Sequence, residues 1–489
     1  MKIIVAYPPL NTDQGIPLLS QNRQFQYFKE PTYIYPVVPA LAATLLKKAG
    51  FEVIWKDCIA QNLNFEQFID FIKEQEPDVI AFETKTPVVK EHWKIVNKLK
   101  ELSDRMKIVL FGDHVTALPA ESMENCKVDF ILTGGDYDFL LLNLCSALQS
   151  VKSKLQDLAL KLEPGIWYRD NGEIKNTGKF VLNHSLNKIP FIDRDLTNWQ
   201  DYAYKNGNYR STPGTYIMSA RDCWWAKCTF CSWPQLYPTF RARKVENVLT
   251  EIENLVNVYK VKEIMDDSGT FPVGTWLKNF CHGMIKRGLN KKVTLDCNMR
   301  FGAIDFAGYK LMRKAGFRFL LFGLESANQE TLNRIKKNLD VKTIIESCKN
   351  ARSAGLYPHI TIMFGYPWET YEQAKKTLEL GKWLLKKDYA YTMQSTVVVP
   401  YPNTPLFLEC KENDLLYTLN WDDYNMKNPV MKLSYAPEKL LQLVQSLYSV
   451  SFSPEFIFRK ILSIRELADL KYFQRAFFKV MGHIFDFKR

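Results

Sequence analysis

From residue 214 onward, six short apolar runs each end in polar or small residues: "YIMSARDC", "KEIMDDSG", "VTLDCNMR", "FRFLLFGLES", "HITIMFGYP" and "QSTVVVPYP". Helical patterns such as "VENVLTEIENLVNVYK" and "AGYKLMRKAG" lie between them. Strands joined by helical crossovers pair in parallel, because each crossover returns the chain to the same end of the sheet. Six such units predict a partial (β/α)6 barrel of the TIM type, an open version of the eight-stranded form. Chemistry in that architecture sits where the strands end, and every polar cluster just quoted lies at such an end.

The first 150 residues carry the same rhythm. The runs "KIIVAYPP", "FEVIWKD", "PDVIAFET", "KIVLFGD" and "VDFILTGG" alternate with helical patterns, of which "PVVPALAATLLKKAG" is closed by a glycine. This predicts a doubly wound, Rossmann-like parallel sheet with helices on both faces. Between the two parts, "PGIWYRDNGEIKNTGKFVL" holds an Asn-Gly pair between alternating runs, the signature of a hairpin. The chain therefore divides into a doubly wound domain (1–150), a hairpin and linker (151–205), a barrel (206–428) and a helical C-terminal region (429–489). That last region is basic and aromatic. It reads as a cap on the barrel, a lid over an apolar substrate or an amphipathic contact with a membrane surface.

The ten cysteines are mostly single residues inside apolar patterns, and no stretch of about 18 uncharged apolar residues occurs. The start, "MKIIVAYPPL", reads as a strand rather than a signal peptide. Together these features predict a cytoplasmic protein with reduced thiols. A formal charge of +12 fits a solvated basic surface, an anionic small-molecule substrate, peripheral contact with an anionic membrane face, or nucleic acid, while Trp224, Trp225, Trp233 and the aromatic tail hint at an apolar substrate.

Three cysteines break the pattern: Cys223, Cys228 and Cys231, in "SARDCWWAKCTFCSWP" at the end of the first barrel strand. Structural zinc takes four ligands, usually as two pairs, and a ferredoxin cluster also takes four. No second Cys or His pair lies within about 45 residues of Cys231. Three thiolates in one loop point instead to a 4Fe–4S cluster with one iron left open to chelate a substrate or cofactor.

With this loop the chain resembles the radical S-adenosylmethionine superfamily, whose usual spacing is CxxxCxxC; here "CWWAKC" has one extra residue. The resemblance implies that Phe230 packs on the adenine of S-adenosylmethionine. It implies that Asp266 and Asp267 meet the methionine amino group, and that Arg300 of "NMR" pairs with the methionine carboxylate. Glu325 and Ser326 of "GLES" would reach the ribose, and Gly365 and Glu369 of "GYPWET" would lie near the adenine. The chemistry implied is one-electron cleavage of S-adenosylmethionine to a 5′-deoxyadenosyl radical, with a flavodoxin or ferredoxin as reductant.

A doubly wound domain before such a barrel resembles the cobalamin-binding branch of the superfamily. The matching residues are "YPP" (Tyr7–Pro9), "GDHVTALP" (Gly112–Pro119) and "TGGD" (Thr133–Asp136). They imply cobalamin contacts at Gly112, His114, Thr116, Gly134 and Gly135. Asp113 stands where the family usually has a proline, and "GGDYD" replaces the usual Gly-Glu-Gly-Glu-like turn. The DxHxxG motif that supplies a histidine to cobalt is absent, so His114 is not expected to ligate the metal. The branch implies methylation of an unactivated carbon or phosphorus by way of methylcobalamin, or ring formation and rearrangement without methyl transfer. Two other readings are a methylthiotransferase acting on transfer RNA and a basic nucleic-acid-binding protein with a structural metal. The first needs a second cysteine trio and a C-terminal β-barrel, and the second a fourth ligand, so nucleic acid is not an expected partner.

Overall fold

The computed structural model describes residues 1–10, 15–17, 27–28, 32–150, 158–462, 464, 470 and 472–475. Most of the basic tail beyond 462 thus lies outside the described residues. Among those described, no helix is long and apolar enough to cross a membrane.

The first sheet has seven strands in the order Glu52–Asp57, Lys2–Tyr7, Val79–Glu83, Lys107–Phe111, Phe130–Leu132, Ile166–Asp170 and Glu173–Asn176. The first five run parallel in the doubly wound order 2-1-3-4-5. Their apolar runs are unbroken because helices cover both faces. Ile3, Ile4 and Val5, and likewise Ile80, Ala81 and Phe82, are all fully buried. Helix Val37–Lys48 covers one face with its Leu/Ala stripe. The Asn-Gly hairpin forms as expected, with Asn171 and Gly172 both at positive φ (51° and 87°). It does not stand apart as a linker, however. Its first strand pairs antiparallel with Phe130–Leu132 and so extends the first sheet. An alternating run is ambiguous by itself, and here the exposed edge of the fifth strand takes it up.

The second sheet is fully parallel, with six strands in sequence order: Gly214–Ile217, Glu263–Asp266, Thr294–Met299, Phe317–Glu325, Tyr357–Phe364 and Thr392–Val397. The helix before the fifth strand begins at Asp340, whose carboxylate accepts the Thr343 N–H at 2.6 Å. The next begins at Thr370 in a capping box with Gln373. Helix Pro405–Glu412 follows the sixth strand. Helices Pro437–Tyr448 and Pro454–Leu462 then form the helical C-terminal region. The first of these packs on the fifth and sixth strands, where a full barrel would have continued. At the floor, Arg318 is buried in ion pairs with Glu263 (2.6 Å) and Asp296 (2.9 Å), and it also donates to the Asn208 carbonyl.

The carboxyl ends of both sheets face each other. Tyr237, just beyond the cysteine loop, donates to the Gly135 carbonyl (2.9 Å), and Gly135 N–H donates to the Leu236 carbonyl (2.9 Å). On the other side, Trp421 donates to Glu121 at 2.9 Å, and Asn403 donates to the Ala117 carbonyl.

Candidate active site

One cavity of about 360 Å³ opens at the carboxyl end of the barrel, and all three cysteines of the loop line it. The ten free cysteines fall into two groups. Seven are buried, and the three that are partly exposed are Cys223, Cys228 and Cys231. Burial pushes the thiols of Cys58, Cys126 and Cys145 up to about 12, so they pack as apolar groups.

Neighbouring elements fix the cysteine loop. Ser219 donates from N and Oγ to Asp266 (3.0 and 2.5 Å). Asp222 accepts the Gly269 N–H at 2.5 Å, and Cys223 Sγ lies 3.3 Å from Thr270 Oγ1. Gly269 must be glycine for this contact, because a Cβ there would lie 2.5 Å from Asp222 Oδ2 and 2.9 Å from Cys223 Cβ. Trp224 and Trp225 pin the loop by donating to the Phe271 and Lys336 carbonyls (3.3 and 2.9 Å). The extra residue of "CWWAKC" is taken up at Ala226, which turns left-handed with φ 45°. Among the described residues no group of three His, Cys, Asp or Glu side chains is gathered closely enough to hold a metal ion; the three cysteines line one cavity.

The residues assigned to S-adenosylmethionine divide in two. Phe230, Asp267, Arg300 and Glu325 line the cavity with the cysteines; Asp266, Ser326, Gly365 and Glu369 lie behind its wall. Asp266 is held by Ser219 and Ser268. Burial raises the Glu369 carboxyl, while donors from Ser326, Thr331 and Asn328 (2.7, 2.7 and 3.0 Å) work to lower it. This cluster ties the end of the fourth strand to the end of the fifth. Gly365 has φ 100° and packs on Leu440 of the C-terminal helix. Arg300 stacks on Trp225 at 4.1 Å and donates to the Lys337 and Asn338 carbonyls. Burial lowers its proton affinity. Glu325 pairs with Lys337 at 2.7 Å. Lys337 is a residue that the sequence did not single out, since nothing in "IKKNLD" separates it from a surface lysine. Gly323 makes room for that pair, because a Cβ there would lie 2.0 Å from Glu325 Oε1.

The residues assigned to cobalamin lie together at the carboxyl end of the first sheet, and none of them lines the cavity. Thr116 Oγ1 donates to the Gly112 carbonyl (2.7 Å) and accepts the Gly134 N–H (3.1 Å). Gly112 has φ 125°, and a Cβ there would meet the Thr84 carbonyl at 2.2 Å. A Cβ on Gly134 or Gly135 would enter the ring of Phe180 or Tyr237, at 2.5 and 2.0 Å. His114 is fully buried, with Nδ1 3.2 Å from Thr86 Oγ1 and Nε2 3.1 Å from Glu121 Oε2. Both ring nitrogens are thus engaged inside the domain. Phe28, Thr32 and Ile34 of the first domain share the cavity with Ser232, Trp233 and Pro234 of the cysteine loop, so the cavity reaches the junction between the domains.

The two aspartates of "GGDYD" have a role that the sequence did not reveal. Arg221, two residues before Cys223, forms a bidentate pair with Asp138 (2.8 and 2.6 Å) and a bond to Asp136 (2.8 Å). Arg241 grips Asp136 in the same way (2.8 and 2.6 Å). Burial favours the neutral acid at Asp136, but His184, Arg221 and Arg241 outweigh it and hold the carboxyl well below its usual range. His184 reaches Asp136 and Glu163 (3.3 and 3.0 Å), and against the cost of burial these carboxylates raise it to about 9.

A radical SAM superfamily model matches residues 217–381, and a B12-binding domain model matches residues 31–139. The chain belongs to the cobalamin-binding radical S-adenosylmethionine enzymes. The family's cofactors are a 4Fe–4S cluster, S-adenosylmethionine and cobalamin. An uncharacterized methyltransferase of Pyrococcus horikoshii is 28% identical over 415 residues, covering 84% of this chain and 86% of that protein. An anaerobic magnesium-protoporphyrin IX monomethyl ester cyclase of Cereibacter sphaeroides is 28% identical over 405 residues, covering 81% of this chain and 63% of that protein. Among solved structures, the cobalamin-dependent S-adenosylmethionine radical enzyme OxsB superposes with a TM-score of 0.70 at 16% identity, covering 99% of this chain and 71% of that one. The radical S-adenosylmethionine methyltransferase TsrM of Kitasatospora setae superposes with a TM-score of 0.67 at 16% identity, covering 93% of this chain and 89% of that one. These two likenesses concern the fold.

The cluster and S-adenosylmethionine suit the residues present: three partly exposed thiols share a cavity wall with charged groups beside them. The glycine turns assigned to cobalamin are covered by Phe180 and Tyr237 in this structure.

Proposed function

We propose that this enzyme transfers a methyl group to an unactivated carbon or phosphorus of a small molecule. The carrying observation is that the cavity lined by the cysteine trio is also lined by Phe28, Thr32 and Ile34, so it opens at the junction with the domain that would hold the methyl carrier. The methyltransferase similarity over most of both chains supports the same reading. When bound, the cluster and S-adenosylmethionine supply a hydrogen-abstracting radical, and cobalamin supplies the methyl carrier. In this reading Cys223, Cys228 and Cys231 bind the cluster, and Phe230 packs on the adenine. Asp267 and Arg300 offer opposite charges to the methionine ammonium and carboxylate, and Glu325, held by Lys337, accepts from the ribose. Asp266, Ser326, Gly365 and Glu369 position these groups from behind the wall. Gly112, Thr116, Gly134 and Gly135 would meet cobalamin at the carboxyl end of the first sheet, where Phe180 and Tyr237 lie against the two later glycines. The same walls exclude water from the reacting atoms.

Anaerobic reconstitution with iron, sulfide and hydroxocobalamin, followed by turnover with S-adenosylmethionine and reduced flavodoxin, tests this. A methyltransferase yields 5′-deoxyadenosine and S-adenosylhomocysteine together once substrate is present. The cyclase similarity supports a second reading, under which only 5′-deoxyadenosine accumulates.

A further inference from the structure

The cavity does not stop at the cysteine loop. On the fourth strand Phe319, Leu321, Gly323 and Glu325 all line it, and on the fifth His359, Thr361 and Met363 do so. Alternate residues along a strand face one side, so a lining that runs from Phe319 to Glu325 spans about 20 Å at about 3.3 Å per residue. The cavity is therefore a channel down the barrel axis. The open side between the first and sixth strands is walled by Tyr448 and Tyr472 of the C-terminal region.

Its two ends differ in chemistry. Among the described lining residues, every Asp, Glu, Lys and Arg lies at the upper end: Asp222, Asp267, Arg300, Glu325 and Lys337. Below them the described lining carries no carboxylate or ammonium: Met265, Met299, Met363 and Met393 lie about Leu321, apolar and adaptable. Hydrogen-bonding groups are set among them: His359, level with Leu321 and with Nδ1 2.8 Å from Thr392 Oγ1, and one rung nearer the upper end Thr361 and Gln394. The charges below this lining already pair with one another, because Arg318 Nη2 donates to Glu263, Asp296 and the Asn208 carbonyl. A charged group at that depth would lose its hydration beside groups that are already paired.

We infer that the channel takes an elongated, uncharged, largely apolar substrate, with its polar end against His359 and Gln394 and its reacting end toward the cysteine loop. This rests on the reading of the upper end as the cofactor site.

The test uses reconstituted holoenzyme with S-adenosylmethionine bound, and three probes with the same chain: 1-decanol, decanoate and decylammonium. Calorimetry should show decanol binding at least about tenfold more tightly than either ion. Thr361→Trp, which fills the channel, should abolish decanol binding. His359→Leu and Gln394→Leu should each weaken it about three- to tenfold, the loss of one hydrogen bond. Unchanged cluster absorbance and cobalamin content establish that each variant is folded. Equal binding of decanoate or decylammonium, or decanol binding that survives Thr361→Trp, would overturn the inference. Uptake of iron and cobalamin by the parent protein is measured in parallel. Its failure would count against the proposed function, while the probe series would still decide what the channel accepts.

Discussion

The two sheets both end in glycine-rich, polar loops, but they use them in opposite ways. At the barrel, the strand ends open onto a cavity and surround it with charge. At the first domain, Gly112, Gly134 and Gly135 have no room for a side chain because a carbonyl or an aromatic ring already lies against them. The same composition thus marks a chemical site in one half and a close-packed joint in the other. The difference lies in what stands opposite: empty space for the barrel, and the barrel's own cysteine loop for the first domain.

The comparison can be broken most sharply at the barrel end. Cys228→Ala should abolish reductive cleavage of S-adenosylmethionine, read as 5′-deoxyadenosine in an anaerobic assay, while leaving cobalamin content intact. Undiminished cleavage would mean that the cluster is held elsewhere. At the joint, Arg221→Met leaves Asp138 buried without its bidentate partner and should cost about 3–5 kcal/mol of stability, measured by urea unfolding of the apoprotein. Gly135→Ala drives a methyl group into Tyr237 and should cost about 1–3 kcal/mol. It should also lower cobalamin retention on gel filtration, whereas Gly269→Ala should lower iron content instead.

The smallest effect is one of pH. His184 is raised to about 9 by Asp136 and Glu163, so its folded-state value lies above its unfolded one. Its contribution is complete below about pH 6.5 and fades as pH climbs through about 9. It is partly exposed to solvent screening, so the effect should be on the order of 1 kcal/mol. Unfolding midpoints at pH 6 and pH 10 should differ less in His184→Gln than in the parent protein.

Both layers of β/α units were legible, because an unbroken apolar run bounded by turn residues and helical periods has few other solutions. The cysteine trio was legible for a similar reason: no ordinary packing needs three thiols so near a strand end. The division of the flanking residues was not. Asp266 and Asp267 are adjacent in sequence, yet one points into the fold to hold Ser219 and the other into the cavity. Strand alternation decides that, and only the strand's exact end settles its phase. Lys337 and the Arg221–Asp138 pair were invisible because each depends on a partner remote in sequence. The hairpin was foreseen as a local object, but its attachment to Phe130–Leu132 depends on an edge that no local pattern announces.

One short stretch of backbone carries Cys231 and, just beyond it, the Tyr237 ring that covers Gly135. The two ends of that stretch cannot shift independently. The cysteine loop is thus tethered at its far end to the glycine turn of the other sheet, so the wall of the cavity and the seam between the domains share one anchor.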